Sequence, residues 1–103
     1  MGKPIKDVRL SLQTLRVLEA FLENPNRELA GSDVQKRSSL ASGTLYPILI
    51  RLESAGWFVS RWEDISPTDA GRPRRRLYRL TPSGLARSGN VFATLSFGRG
   101  VPA

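Results

Sequence analysis

A mainly α-helical fold carrying one small β-hairpin is predicted by three observations. Leucines recur at steps of three and four in two stretches of the first half of the chain. The apolar period turns from helical to alternating just after Gly56. A length of 103 residues fits one small domain.

The first ten residues, with Gly2, Pro4 and mixed charge, read as a flexible N-terminal arm (1–10). Ser11 then precedes Leu12, Leu15, Leu18 and Leu22, with Val17 and Phe21 beside them. That spacing is one apolar stripe of a helix, capped by Ser11 and stopped at Asn24-Pro25-Asn26. Arg27-Glu28-Leu29 fits either a one-turn bridge or a tiny strand. A short helix follows over Gly31–Ser38, with Val34 inward and a break at Ser38-Ser39. Lys36 and Arg37 near its C-terminal end suit the helix dipole. A third helix runs from Ser42 to Ala55 on a Leu45, Leu49 and Leu52 stripe, with Ile48 alongside. Gly56 is placed to end it in the left-handed conformation.

Trp57 to Trp62 is aromatic and β-branched, as strands prefer. Ile65 to Pro73 is a long turn. Arg75 to Leu80 alternates, with Tyr78 and Leu80 on one face and Arg75, Leu77 and Arg79 on the other. The two segments pair as an antiparallel hairpin. Thr81-Pro82 starts a last helix whose Leu85, Phe92 and Leu95 share a face, and which Gly84 and Gly89 weaken. Residues 96–103 read as a flexible tail, which leaves 11–95 as the folded domain.

Short helices two and three with a hairpin after them make a winged helix-turn-helix. The charge agrees. Lys plus Arg number 16 and Asp plus Glu 9, for a net +7. Residues 1–69 are neutral, and everything from Ala70 onward holds seven arginines and no acid. A polyanion partner follows, with double-stranded DNA the leading one. The absence of Cys and His removes thiolate and imidazole chemistry, both catalytic and metal-binding. The nine acids are scattered, so no enzyme, metal or cofactor is implied. No apolar run nears the ~18 residues of a membrane span, and MGKPIKDVRL lacks the apolar stretch of a secretory signal. A cytoplasmic, nucleoid-associated protein without membrane contact is expected.

On the third helix Gly43, Pro47, Ile50, Arg51 and Ser54 lie opposite the leucine stripe, with Thr44 and Tyr46 on its flanks. Thr44 and Tyr46 are placed to donate to phosphate oxygens. Arg51 reaches either a phosphate or the acceptors of guanine. Arg72-Pro73-Arg74-Arg75-Arg76 sets four guanidinium groups at the end of the turn, where a wing crosses the backbone or enters the minor groove. Lys36, Arg37 and Ser42 complete the DNA-contact candidates.

The run Ser42-Gly43-Thr44-Leu45-Tyr46-Pro47, then Leu49, Arg51-Leu52-Glu53, Gly56, Gly71-Arg72-Pro73, Tyr78-Arg79-Leu80-Thr81 and Gly84, resembles the PadR-like winged-helix transcriptional regulators from about Leu12 to Leu85. The resemblance implies a dimeric DNA-binding regulator, usually a repressor, whose recognition helix and wing both touch the operator. It places Gly43, Thr44, Tyr46 and Arg51 on the recognition helix and Arg72 to Arg76 on the wing. Family members often carry a long C-terminal helix used in dimerisation, whereas only 23 residues follow Leu80 here. A homodimer is expected through two stripes, Leu12, Leu15 and Leu22 on the first helix and Leu85, Phe92 and Leu95 on the last. A small-molecule effector is compatible with this reading, although no residue pattern points to one. The competing class is a winged helix that uses its basic wing on a protein or an RNA.

Overall fold

Ser11 starts the first helix by accepting a hydrogen bond from the Thr14 amide at 3.2 Å. The computed structural model describes residues 10–98. Its elements are α1 (Leu12–Leu22), β1 (Leu29–Ala30), α2 (Gly31–Ser38), α3 (Ser42–Ser54), β2 (Phe58–Trp62), α4 (Pro67–Ala70), β3 (Arg76–Leu80) and α5 (Pro82–Gly98). The arm expected over 1–10 lies outside the described residues except for Leu10. Residues 96–98 of the expected tail continue α5, and 99–103 lie outside the described residues.

α1 is turned differently from the leucine stripe. Its buried side chains are Thr14, Val17, Leu18, Ala20 and Phe21, while Leu12 is 64% exposed. The face is set by neighbours, since Phe21 packs on Phe58 of the sheet with ring centroids 4.5 Å apart. Thr14 tolerates burial because its hydroxyl lies 3.1 Å from that of Ser11.

The segment after α1 ends as a strand. Leu29 and Ala30 pair antiparallel with Tyr78 and Leu77. The hairpin is therefore part of a three-stranded sheet in the order β1-β3-β2. Phe58 lies opposite Leu80 and Trp62 opposite Arg76. Phe58, Tyr78 and Leu80 bring the sheet's inner face into the core formed by α1, α2 and α3.

Helix ends follow local chemistry. α3 closes in a Schellman turn, with the Gly56 amide on the Glu53 carbonyl and the Trp57 amide on the Leu52 carbonyl. Gly56 has φ +83°. Ser39, between α2 and α3, holds the left-handed conformation at φ +61°. The long turn contains the single turn α4, capped by Ser66 and ended by Gly71 at φ +71°. Thr81 caps α5 by accepting from the Gly84 amide at 2.8 Å. Its hydroxyl donates to the Gly56 carbonyl at 2.7 Å, which joins the start of α5 to the end of α3.

Candidate nucleic-acid interface

α3 buries Leu45, Ile48, Leu49 and Leu52 and leaves its other side bare. Ser42, Gly43, Thr44, Tyr46, Pro47, Ile50, Arg51 and Ser54 are all exposed. Pro47 has no amide hydrogen, so the Gly43 carbonyl loses its helical donor on this outward side. Tyr46 is only half free. A Cβ on Gly31 would collide with the Tyr46 ring and hydroxyl, so the ring rests on the first turn of α2.

The wing supplies the opposite wall. Arg74, Arg75 and Arg76 share an open cleft of about 320 Å³ with Ala30, Gly31, Ser32 and Tyr46. This cleft brings together three of the expected wing arginines, the expected Tyr46 and the start of α2. Gly31 and Ser32 were not among the expected contacts. The need for a small residue under Tyr46 is their only trace in the sequence.

The four wing guanidiniums are not loose charges. Glu63, whose side chain is 12% exposed, accepts from Arg72 at 2.7 and 3.0 Å, and from the amide and guanidinium of Arg75 at 3.0 and 3.1 Å. These bonds, those from Arg72 foremost, hold its carboxyl well below the usual carboxylate range. Arg74 donates through Nε to the Ile65 carbonyl at 2.9 Å. Arg76 donates to the Ser60 hydroxyl at 3.0 Å and lies over the Trp62 ring, 5.0 Å from its centroid. The sequence does not show Glu63 and Trp62 as wing residues, because each acts through a residue nine or more positions away.

Lys36 and Arg37 are exposed on α2. Arg37 is turned toward α1, 2.6 Å from Glu23, and so lies apart from the Tyr46 cleft. Among the expected dimer residues Leu12, Leu85 and Leu95 are exposed and Leu15 is half-buried. Leu22 and Phe92 are partly spent on the protein's own core. Leu95 lines an open apolar groove with Leu10, Asn90, Val91 and Thr94.

Among the described residues no group of three or more acidic side chains is placed to hold a metal ion. No described helix is long and apolar enough to cross a membrane.

Comparison with known proteins agrees with this geometry. Residues 31–89 match the Transcriptional regulator PadR-like family. No curated protein matches the chain. A PadR family transcription regulator from Clostridium difficile R20291 superposes with a TM-score of 0.73 at 21% identity, over 88% of this chain and 94% of that one. A PadR family regulator from Eggerthella lenta DSM 2243 gives 0.65 at 27% identity, over 86% and 82%. The PcaV regulator of Streptomyces coelicolor, solved with its natural ligand, gives 0.71 at 23% identity over 94% of this chain, which spans 62% of PcaV. These likenesses carry the winged-helix fold. The family is one of regulators rather than enzymes. Its match covers more than half of the sequence, and the chain belongs to the PadR-like family of DNA-binding transcriptional regulators.

Proposed function

We propose that the chain is a repressor that reads the major groove with α3 while its wing lies along the adjoining phosphate backbone or in the minor groove. It works in the cytoplasm as a homodimer on nucleoid DNA. The observation that carries this reading is the cleft in which Tyr46 of α3 faces Arg74, Arg75 and Arg76 of the wing. A cleft lined by one sign of charge concentrates a polyanion. Ser42, Gly43, Thr44 and Arg51 of the same helix are exposed as well.

The wing's internal bonds refine the roles of its arginines. Arg72 and Arg75 order the wing through Glu63. Arg74 uses only Nε, so its two terminal nitrogens point to a phosphate contact.

The test is to sequence the fragments the protein retains from a genomic pool and to titrate the retained site against a scrambled duplex. A repressor prefers its site by about a thousandfold or more. Arg74→Ala lowers the slope of log affinity against log salt by about 0.9 on both duplexes. Equal, weak binding to every duplex would refute sequence-specific regulation, and a preference for RNA or for an acidic protein would favour the competing classes.

A further inference from the structure

Trp62 is the one large aromatic side chain of the described sheet that the core leaves out. It is 59% exposed, whereas Trp57, Phe58 and Tyr78 are all buried. Its direction follows from the strand. Side chains alternate along β2, so Trp62 shares a face with Phe58 and Ser60. Phe58 is in the core, and the Ser60 hydroxyl donates to Glu53 of α3 at 2.6 Å. The indole therefore continues the α3-facing side of the sheet past the edge of the core. Arg76 lies directly opposite on β3 and puts its guanidinium over the ring. The same Arg76 lines the cleft with Tyr46. Trp62 thus meets the basic cleft through Arg76, without being needed to close the fold.

We infer that Trp62 is a DNA-contacting residue, its indole packing against a deoxyribose of the strand that crosses the cleft beside Arg76. This inference rests on the DNA-binding reading above. The chemistry is complementary on two counts. A backbone strand presents phosphates, which the arginines attract, and between them sugars, whose carbons are the apolar part of the backbone. A flat ring beside a guanidinium offers both surfaces at one spacing. The contact is independent of base sequence, and it adds no charge of its own.

Tryptophan emission reads the contact directly. Trp57 is 5% exposed, so solvent-sensitive emission and quenching by acrylamide report on Trp62. In the wild-type chain, saturating duplex shields Trp62 from acrylamide, with the retained site and a scrambled duplex alike. Trp62→Phe abolishes that response. Trp62→Ala weakens both duplexes by roughly tenfold, the factor that about 1.4 kcal/mol of lost contact produces. The salt slope stays unchanged, which a lost phosphate contact would not allow. A labelled duplex that binds by anisotropy while Trp62 stays as accessible as in the free protein would overturn this inference and leave the DNA-binding reading intact. Binding to no duplex at all would overturn both. Shielding that grows with protein concentration in the absence of DNA would also overturn it, in favour of a second copy of the chain. Should Trp62→Ala fail to fold, the wild-type quenching and Trp62→Phe still decide the question.

Discussion

Ser60 and Glu53 join the wing to α3: the Ser60 hydroxyl donates to a Glu53 carboxylate oxygen at 2.6 Å and accepts from Arg76 Nε at 3.0 Å. One hydroxyl thus bonds to both walls of the basic cleft. These bonds link α3 to Arg76, and Arg76 in turn lies on Trp62. The two proposed DNA-reading surfaces behave as one body on this account.

Ser60→Ala removes the middle of that chain and leaves a half-buried carboxylate short of a donor. Chemical denaturation should show a loss of about 1–2 kcal/mol, the usual cost of such an orphaned partner. Operator affinity should fall as well, although Ser60 is not placed to touch DNA. Unchanged affinity would show that α3 and the wing bind independently.

Gly84 and Gly89 look alike in the sequence, as two helix-weakening residues of α5. The structure separates them. A Cβ on Gly84 would strike the Trp57 carbonyl, backbone that has no room to retreat, while Gly89 faces open space. Gly89→Ala should stabilise the fold by up to about 1 kcal/mol through helix propensity. Gly84→Ala should destabilise it by about 1–3 kcal/mol as overpacking outweighs that gain. Thermal unfolding of the two variants should shift in opposite directions, and a shift of the same sign would show that α5 docks elsewhere.

That pair shows where sequence alone is insufficient. Ser11, Gly56 and Thr81 were legible as helix boundaries because a cap is settled within four residues. The Leu45, Leu49 and Leu52 face was legible because one period fills the helix. The Leu12 stripe marks the helix but not its buried face, because α1 has apolar residues on more than half of its circumference, and the choice of face is made by Phe58 and the helices beside it. β1 has two residues, too few to show a period, and exists only because β3 pairs with it. The wing's arginine run was visible at once. Its ordering was not, because Glu63 lies nine or more residues before the groups it holds.

Glu63 makes the wing sensitive to acid. Its folded pKa is lowered, by hydrogen bonds from Arg72 first and Arg75 next. A lowered carboxylate pKa contributes stability that is fully present above the unfolded value near 4.5 and is lost as pH falls toward the folded one. Glu63→Gln lacks this contribution at every pH. The stability difference between wild type and Glu63→Gln should therefore be widest near about pH 6 and shrink steadily toward about pH 3. A constant difference over that window would mean the carboxylate is not ion-paired in solution.

Assembly is decided by what covers α5. Phe92 and Leu22 already pack against the protein's own core, so a charge at either position would damage the fold before it reported on a partner. Leu95 is the cleaner probe. It is 44% exposed and stands in an open apolar groove beside Leu10, Val91 and Thr94. Leu12, 64% exposed at the start of α1, is the corresponding position on the other stripe. Burying such surfaces across a two-fold axis gains about 25 cal/mol per Å² of apolar area, and a two-fold dimer matches two operator half-sites about one helical turn apart. Leu95→Glu should give a chain with wild-type helix content and melting behaviour that sediments as a monomer. It should bind a half-site as the wild type does and lose the extra affinity for the full site. If the wild type itself sediments as a monomer at tens of micromolar and still binds its full site tightly, the two stripes are not a dimer interface. Each chain would then read its half-site alone.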